Sequence, residues 1–255
     1  MNLSGKKALI FGIANNRSIA YGIARSLKEA GADIAFTYQN ERLLSRVQKV
    51  DNELNASFVV KCDVTDSTDL DLVFSEVEKK WGSVDIVVHS LAFTPTNCLE
   101  NDFTKTSKED FSQTMEISVF SLIDIANRST PFMKDNGGSI LTLSFYGSQK
   151  VMTGYKIMGP AKAALESSVK YLADELGAHK IRVNTLSPGP VKTLAASIFP
   201  NFKKTMEIVK ERTPLGEPTT ITDVGNFATY LCSDLAKNIT GGTHYIDSGG
   251  HIMGA

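Results

Sequence analysis

No stretch of this 255-residue chain approaches the ~20 consecutive apolar residues that a membrane-spanning helix needs. The opening residues, Met1-Asn2-Leu3-Ser4-Gly5-Lys6-Lys7, run straight into a strand-like segment and have no signal-peptide pattern. Cysteine is scarce: Cys62, Cys98 and Cys232 are odd in number, far apart and without C-x-x-C spacing. They read as small buried hydrophobes in a reducing cytosol, and neither a redox centre nor a metal site is expected from them. Excess charge of one sign is missing too, since 27 basic and 28 acidic residues leave a net −1. Neither a nucleic-acid nor an anionic-membrane partner is therefore expected. Internal repeats, low-complexity stretches and Pro/Gly/Ser-rich linkers are missing as well, and a single domain over 1–255 is the expectation.

What is present is alternation. Hydrophobic residues make up 42 % and charged residues 22 %, an ordinary globular balance with ample core. Short apolar runs at 8–11, 33–38, 57–61, 85–89, 139–143, 182–186 and 243–246 predict strands covered on both faces. Between them, helices are predicted near 19–30, 41–54, 67–80, 108–133, 156–178 and 222–235. Strict strand–helix alternation implies an α/β fold, a Rossmann-like, doubly wound parallel sheet of about seven strands, with ligands at the carboxyl ends. One segment leaves this rhythm. The stretch at about 187–212 follows a strand without an immediate helix, and an excursion at that end of a sheet reads as a substrate-binding loop or lid.

The first strand runs into Gly12-Ile13-Ala14-Asn15-Asn16-Arg17-Ser18-Ile19-Ala20-Tyr21-Gly22. Gly12 permits a tight turn, and Ser18 can cap a helix whose N-terminus would face a pyrophosphate. The G-x-G-x-x-G fingerprint is missing, so the turn alone equally suits a plain strand-to-helix connection. Its place after the first strand favours a dinucleotide. The second strand ends at Gln39, neutral where an acid would mark NAD and a base NADP; NADH is the preferred reading. Asp63, after the third strand, either reaches adenine or caps the next helix. His89, closing the fourth strand, reads as a structural histidine.

Tyr155 stands seven positions before Lys162, about 140 residues after the glycine turn. Seven helical residues are just under two turns, so the two side chains would share a face. A phenol beside an ammonium is a proton donor whose pKa the cation would lower. Pro160 fits only the first helical turn, which sets Tyr155 at or just before the helix start. In the common short-chain dehydrogenase pattern the tyrosine stands four residues before the lysine, where this chain has Met158.

With these residues in view, the chain closely resembles the bacterial enoyl-[acyl-carrier-protein] reductases, the divergent branch of the short-chain dehydrogenase/reductase superfamily. The likeness covers essentially the whole chain. It includes Ser18-Ile19-Ala20-Tyr21-Gly22, Phe36-Thr37-Tyr38-Gln39-Asn40, Cys62-Asp63-Val64, the Tyr155–Lys162 spacing, Arg182-Val183-Asn184, Gly189-Pro190-Val191-Lys192-Thr193-Leu194-Ala195-Ala196-Ser197 and Asp247-Ser248-Gly249-Gly250. The resemblance implies NADH-dependent reduction of a trans-2-enoyl thioester carried on acyl carrier protein, in a cytoplasmic homotetramer. By position it implies Tyr155 and Lys162 as catalytic residues. Gly12, Ser18, Ile19, Gln39, Asp63, Val64, Leu91, Lys162, Val191, Thr193, Leu194 and Ala195 would contact the cofactor. Phe93, Thr94, Met158, Ala196, Ile198 and Phe202 would line an acyl pocket. Many relatives carry a second tyrosine at the position of Phe145; here it stands one place later, at Tyr146, and neighbours in an extended chain point opposite ways. A short-chain carbonyl reductase and a non-catalytic NAD(H) sensor are the competing readings. Met158 and Phe145 oppose the first, and the retention of both Tyr155 and Lys162 opposes the second.

Overall fold

The computed structural model describes residues 1–194, 196 and 202–254. Seven strands form one parallel sheet in the order β3-β2-β1-β4-β5-β6-β7. They are β1 (Lys7–Phe11), β2 (Asp33–Tyr38), β3 (Val59–Lys61), β4 (Ile86–His89), β5 (Gly138–Leu143), β6 (Ile181–Pro188) and β7 (Thr243–Ile246). Strands β1, β2 and β4 are buried almost throughout, because helices cover both faces of the sheet. On one face α1 (Ile19–Glu29), α2 (Leu44–Leu54) and α9 (Ile221–Cys232) enclose a core containing Ile10, Phe36 and Val88. On the other α3 (Ser67–Lys80), α6 (Ser121–Met133) and α7 (Met158–Gly177) enclose Leu9, Val87 and Ile140.

Helices α1 and α9 cross where two glycines meet. A Cβ on Gly225 would lie 2.5 Å from the Gly22 carbonyl oxygen, and one on Gly22 would lie 2.4 Å from that of Ile221. The bare backbones let Ala20, Ile23, Ala24 and Leu27 pack with Val224, Ala228 and Leu231 in one core.

Several predicted boundaries move for local reasons. The helix expected over 108–133 is α5 (Lys108–Met115), a π turn (Glu116–Phe120) and α6. There Ser121 Oγ donates to the Ile117 carbonyl at 2.7 Å, and Ser118 leaves its own helix to bond Phe93. The helix expected from residue 41 starts with a 3-10 turn, Glu41–Leu43, capped by Asn40. That expected over 222–235 starts at Ile221 behind a Thr220–Asp223 capping box and stops at Cys232. A short helix, α4 (Asn97–Glu100), was not foreseen. The excursion at 187–212 has no helix directly after β6 and ends in α8 (Phe202–Arg212).

Candidate active site

The strand order reverses between β1 and β4, and parallel strands open a crevice where their connections part. The register pairs Phe11 with His89, so the residues that follow, Gly12 and Ser90, come face to face. Gly12 has φ +96°, and a Cβ there would lie 2.2 Å from the Ser90 carbonyl oxygen. No other residue type fits this turn. The Ser18 side chain caps α1, accepting from the Tyr21 N–H at 3.3 Å, and its hydroxyl donates to the Asn15 carbonyl at 2.7 Å. Above these residues lies a cleft of about 510 Å³.

The cleft gathers most of the residues expected there. Gly12, Ser18, Ile19, Gln39, Asp63, Val64, Leu91, Phe93, Tyr155, Lys162, Val191, Thr193, Leu194 and Ala196 all line it. Thr94 does not; its hydroxyl pairs with that of Thr114 at 2.9 Å. Met158 is buried in the first turn of α7 and is likewise not among the lining residues. Ala195 and Ile198 lie outside the described residues, as does the side chain of Phe202. Asp63 does not cap the following helix, a role that Asp66 takes through the Thr68 N–H. Instead its Oδ1 accepts from the Thr65 N–H at 3.0 Å, while Oδ2 is 3.5 Å from the Gln39 amide nitrogen. His89 is fully buried. Its Nε2 is 2.8 Å from Ser121 Oγ and its Nδ1 2.8 Å from Thr142 Oγ1. Burial first, then the Lys162 charge, lowers its pKa to about 3, which keeps the ring neutral. Cys62 lines the cleft as a buried thiol pushed up to about 12, chiefly by desolvation, and is inert.

Tyr155 and Lys162 share the cleft without sharing a helix. Lys156 has φ +43°, which separates Tyr155 from α7, and the Tyr155 carbonyl instead accepts from the Met158 N–H at 3.0 Å. The same-face argument thus fails as helix geometry, although the start of α7 at Met158 puts Tyr155 just before it, where Pro160 required. Lys162 is 4 % exposed, and its Nζ donates to the Leu143 carbonyl at 2.6 Å. Desolvation lowers its pKa to about 8. The phenol of Tyr155 is driven up, first by burial and then by the negative charge of Glu166. The direction is opposite to the expected lowering, because desolvation and the Glu166 charge both favour the protonated phenol. Phe145 turns into the cleft and meets Tyr155 edge-on, centroids 4.9 Å apart. Tyr146 turns away, its hydroxyl donating to the His251 carbonyl at 2.9 Å.

Sequence reasoning missed Ile117, Ser144 and Met152 as lining residues. Ile117 enters from the π turn, which no periodicity announces. The buried carboxylate of Glu166, among Ala161, Leu165 and Val169, carried a legible signal: an acid in an apolar helix stripe.

The donor set suits a dinucleotide. A capped helix N-terminus and a close-approach glycine turn lie at one end and a buried ammonium with a phenol at the other, and apolar walls join them. Among the described residues there is no group of His, Cys, Asp or Glu arranged to hold a metal ion.

Comparisons with known proteins agree with this geometry. A family model described as Enoyl-(Acyl carrier protein) reductase matches residues 12–251. The chain is 49 % identical over 252 residues to enoyl-[acyl-carrier-protein] reductase [NADH] 1 of Rhizobium meliloti (strain 1021), covering 99 % of this chain and 92 % of that one. It superposes on the Bacillus cereus enoyl-acyl carrier protein reductase, solved with NADP+ and an indole naphthyridinone, with a TM-score of 0.97, 43 % identity and full coverage of both chains. The Anaplasma phagocytophilum enzyme, solved with NAD, gives a TM-score of 0.93 at 43 % identity over 99 % of this chain and 94 % of that one. Fold, cleft and sequence together make this chain a member of the enoyl-(acyl carrier protein) reductase family.

Proposed function

We propose that the chain is an NADH-dependent enoyl-[acyl-carrier-protein] reductase, converting trans-2-enoyl thioesters to saturated acyl thioesters in fatty-acid elongation. The observation that carries this reading is the convergence of Tyr155 and Lys162 on the cleft that the Gly12 turn opens. When bound, NADH supplies the hydride that adds to the β-carbon of the enoyl group, leaving negative charge on the thioester oxygen. The Tyr155 hydroxyl donates a hydrogen bond to that oxygen, an interaction that strengthens only as charge develops. A phenol held above its ordinary pKa remains a donor throughout the working pH range. Lys162, anchored on the Leu143 carbonyl, presents its remaining donors to the cofactor ribose. Gly12, Ser18, Ile19, Gln39, Asp63, Val64 and Leu91 would hold the cofactor, with Val191, Thr193 and Leu194 contacting its nicotinamide end. Phe93 and Ala196 form the apolar acyl wall, to which the family resemblance adds Ile198 and Phe202 by position. The whole of 1–255 acts as one domain, in a cytoplasmic homotetramer that receives its substrate on acyl carrier protein.

The test is the loss of NADH absorbance when purified protein meets a trans-2-enoyl thioester, run beside NADPH and a 3-oxoacyl thioester. Oxidation of NADH with the enoyl substrate alone is expected. Turnover of only the 3-oxo substrate would overturn the reading in favour of a carbonyl reductase.

A further inference from the structure

The helix that carries Lys162 carries a second buried ionisable group one turn further on. Glu166 is 5 % exposed, on a face it shares with apolar Ala161, Leu165 and Val169. A carboxylate there is unfavourable unless its oxygens are satisfied. One short segment satisfies them. Oε1 accepts from Ser144 Oγ at 2.5 Å and from Ser148 Oγ at 2.6 Å, and Oε2 accepts from Gln149 Nε2 at 2.9 Å. All three donors lie between β5 and the Tyr155 turn.

That segment is also what Tyr155 rests on. Phe145 supplies the edge-on ring contact, and the Tyr155 ring lies so close over Gly147 that a Cβ there would be 2.5 Å from its Cδ1. Lys162, four residues earlier, bonds the Leu143 carbonyl just ahead of the same segment. Helix α7 therefore grips 143–149 at two successive turns, once through a cation and once through an acid.

We propose that Glu166 is a positioning residue, which clamps the 144–149 turn to α7 and so sets where the Tyr155 hydroxyl stands against the reacting oxygen. This rests on the reductase reading given above. A neutral side chain cannot replace it fully, since a carboxylate offers two acceptor oxygens whereas a glutamine offers one and a misplaced amide. Its charge matters as well. The groups facing it are Lys162 on its own helix, Tyr155 on the preceding turn and Tyr245 from β7, with neutral Ser144, Ser148 and Gln149 from the clamped segment. Towards both Lys162 and Tyr155 the negative charge favours the protonated form.

The experiment compares Glu166→Gln and Ser148→Ala with the wild type. In Glu166→Gln, kcat on a trans-2-enoyl thioester is expected to fall about tenfold, short of the ~100-fold that a 1 Å misplacement can cost. NADH affinity is expected to stay within about twofold, which sets a positioning loss apart from a collapsed cleft. The alkaline limb of kcat is expected to move to lower pH, because removing the charge lets Tyr155 and Lys162 release their protons more readily. Ser148→Ala keeps the charge, so a smaller loss of kcat with an unmoved limb is expected. Wild-type kcat and an unmoved limb in Glu166→Gln overturn the proposal. Should that variant not fold, full activity in Ser148→Ala combined with Gln149→Leu overturns it instead. A crystal structure of Glu166→Gln, or of the double variant, reads the Tyr155 position without substrate. A displaced hydroxyl supports the clamp and a superimposable one sinks it, even if the wild type proves inactive on enoyl thioesters.

Discussion

An ammonium buried as deeply as Lys162 gives up hydration, and its pKa falls to about 8. Below pH 8 the folded chain carries the full cost of that charge. Between pH 8 and the ordinary lysine value near 10.5 the folded state sheds the proton while the unfolded state keeps it. Stability relative to a Lys162→Met variant should therefore rise with pH across that window and stay level below pH 8, where both states hold the proton. Denaturation midpoints of both proteins at pH 7 and pH 10 check the sign; a constant difference would contradict it. For catalysis, Tyr155→Phe removes the donor alone, so kcat should fall about 100-fold with NADH affinity nearly intact, as losing one oxyanion donor does. Lys162→Ala should weaken NADH binding as well, and unchanged affinity there would undo the division of roles. At this scale the site was largely legible, because glycine, tyrosine and lysine carry chemistry wherever they stand. The directions of side chains were not. Position assigned Thr94 and Met158 to the acyl wall, while the structure shows the Thr94 hydroxyl against Thr114 and Met158 buried in the first turn of α7. That Tyr155 stands off its helix depends on a left-handed Lys156, a residue type that gives no warning of it.

Among the elements, the π turn at Glu116–Phe120 has the most specific task. Ser118 Oγ donates to the Phe93 carbonyl and accepts from the Phe93 N–H, both at 3.0 Å, and Phe93 and Ile117 line the cleft together. The widened turn thus ties α5 and α6 to the end of β4, as π bulges near functional sites often do. Ser118→Ala leaves a backbone donor and acceptor without this partner and should cost about 1–3 kcal/mol of stability. It should also raise KM for the enoyl thioester more than it lowers kcat. Steady-state kinetics beside a urea melt separate the two effects, and a KM at the wild-type value would show that Phe93 needs no such tether. The strands were readable because doubly covered strands are continuous apolar runs. The break in the long helix was not, because 108–133 keeps one helical rhythm through residues whose hydroxyls turn elsewhere only once β4 is in place.

At the scale of the molecule, the crevice between β1 and β4 makes ligand and fold interdependent. A cofactor that binds only the folded chain stabilises it by about 2.7 kcal/mol at 100 times its Kd. For a chain of this length that is a rise of about 5–10 °C in the melting midpoint. NADH should produce it, NADPH should produce less, and equal shifts would count against the reading of Gln39. Light scattering at working concentration tests the proposed tetramer, with a mass near four times 27.7 kDa expected. The doubly wound parallel architecture followed from alternation, whereas the strand order came from the structure. Alternation cannot say which helices touch, and the crossing of α1 with α9 came only from the structure.

That crossing bears on how the protein is made. Helix α1 belongs to the first thirty residues, and the helix that covers it ends at Cys232. A chain growing from its N-terminus can pack Ala20, Ile23, Ala24 and Leu27 against β1, β2 and α2 early, but their partners Val224, Ala228 and Leu231 come only with α9. The α1–α9 crossing is completed only when Gly225 settles against Gly22, so a helix made late closes over the first one made.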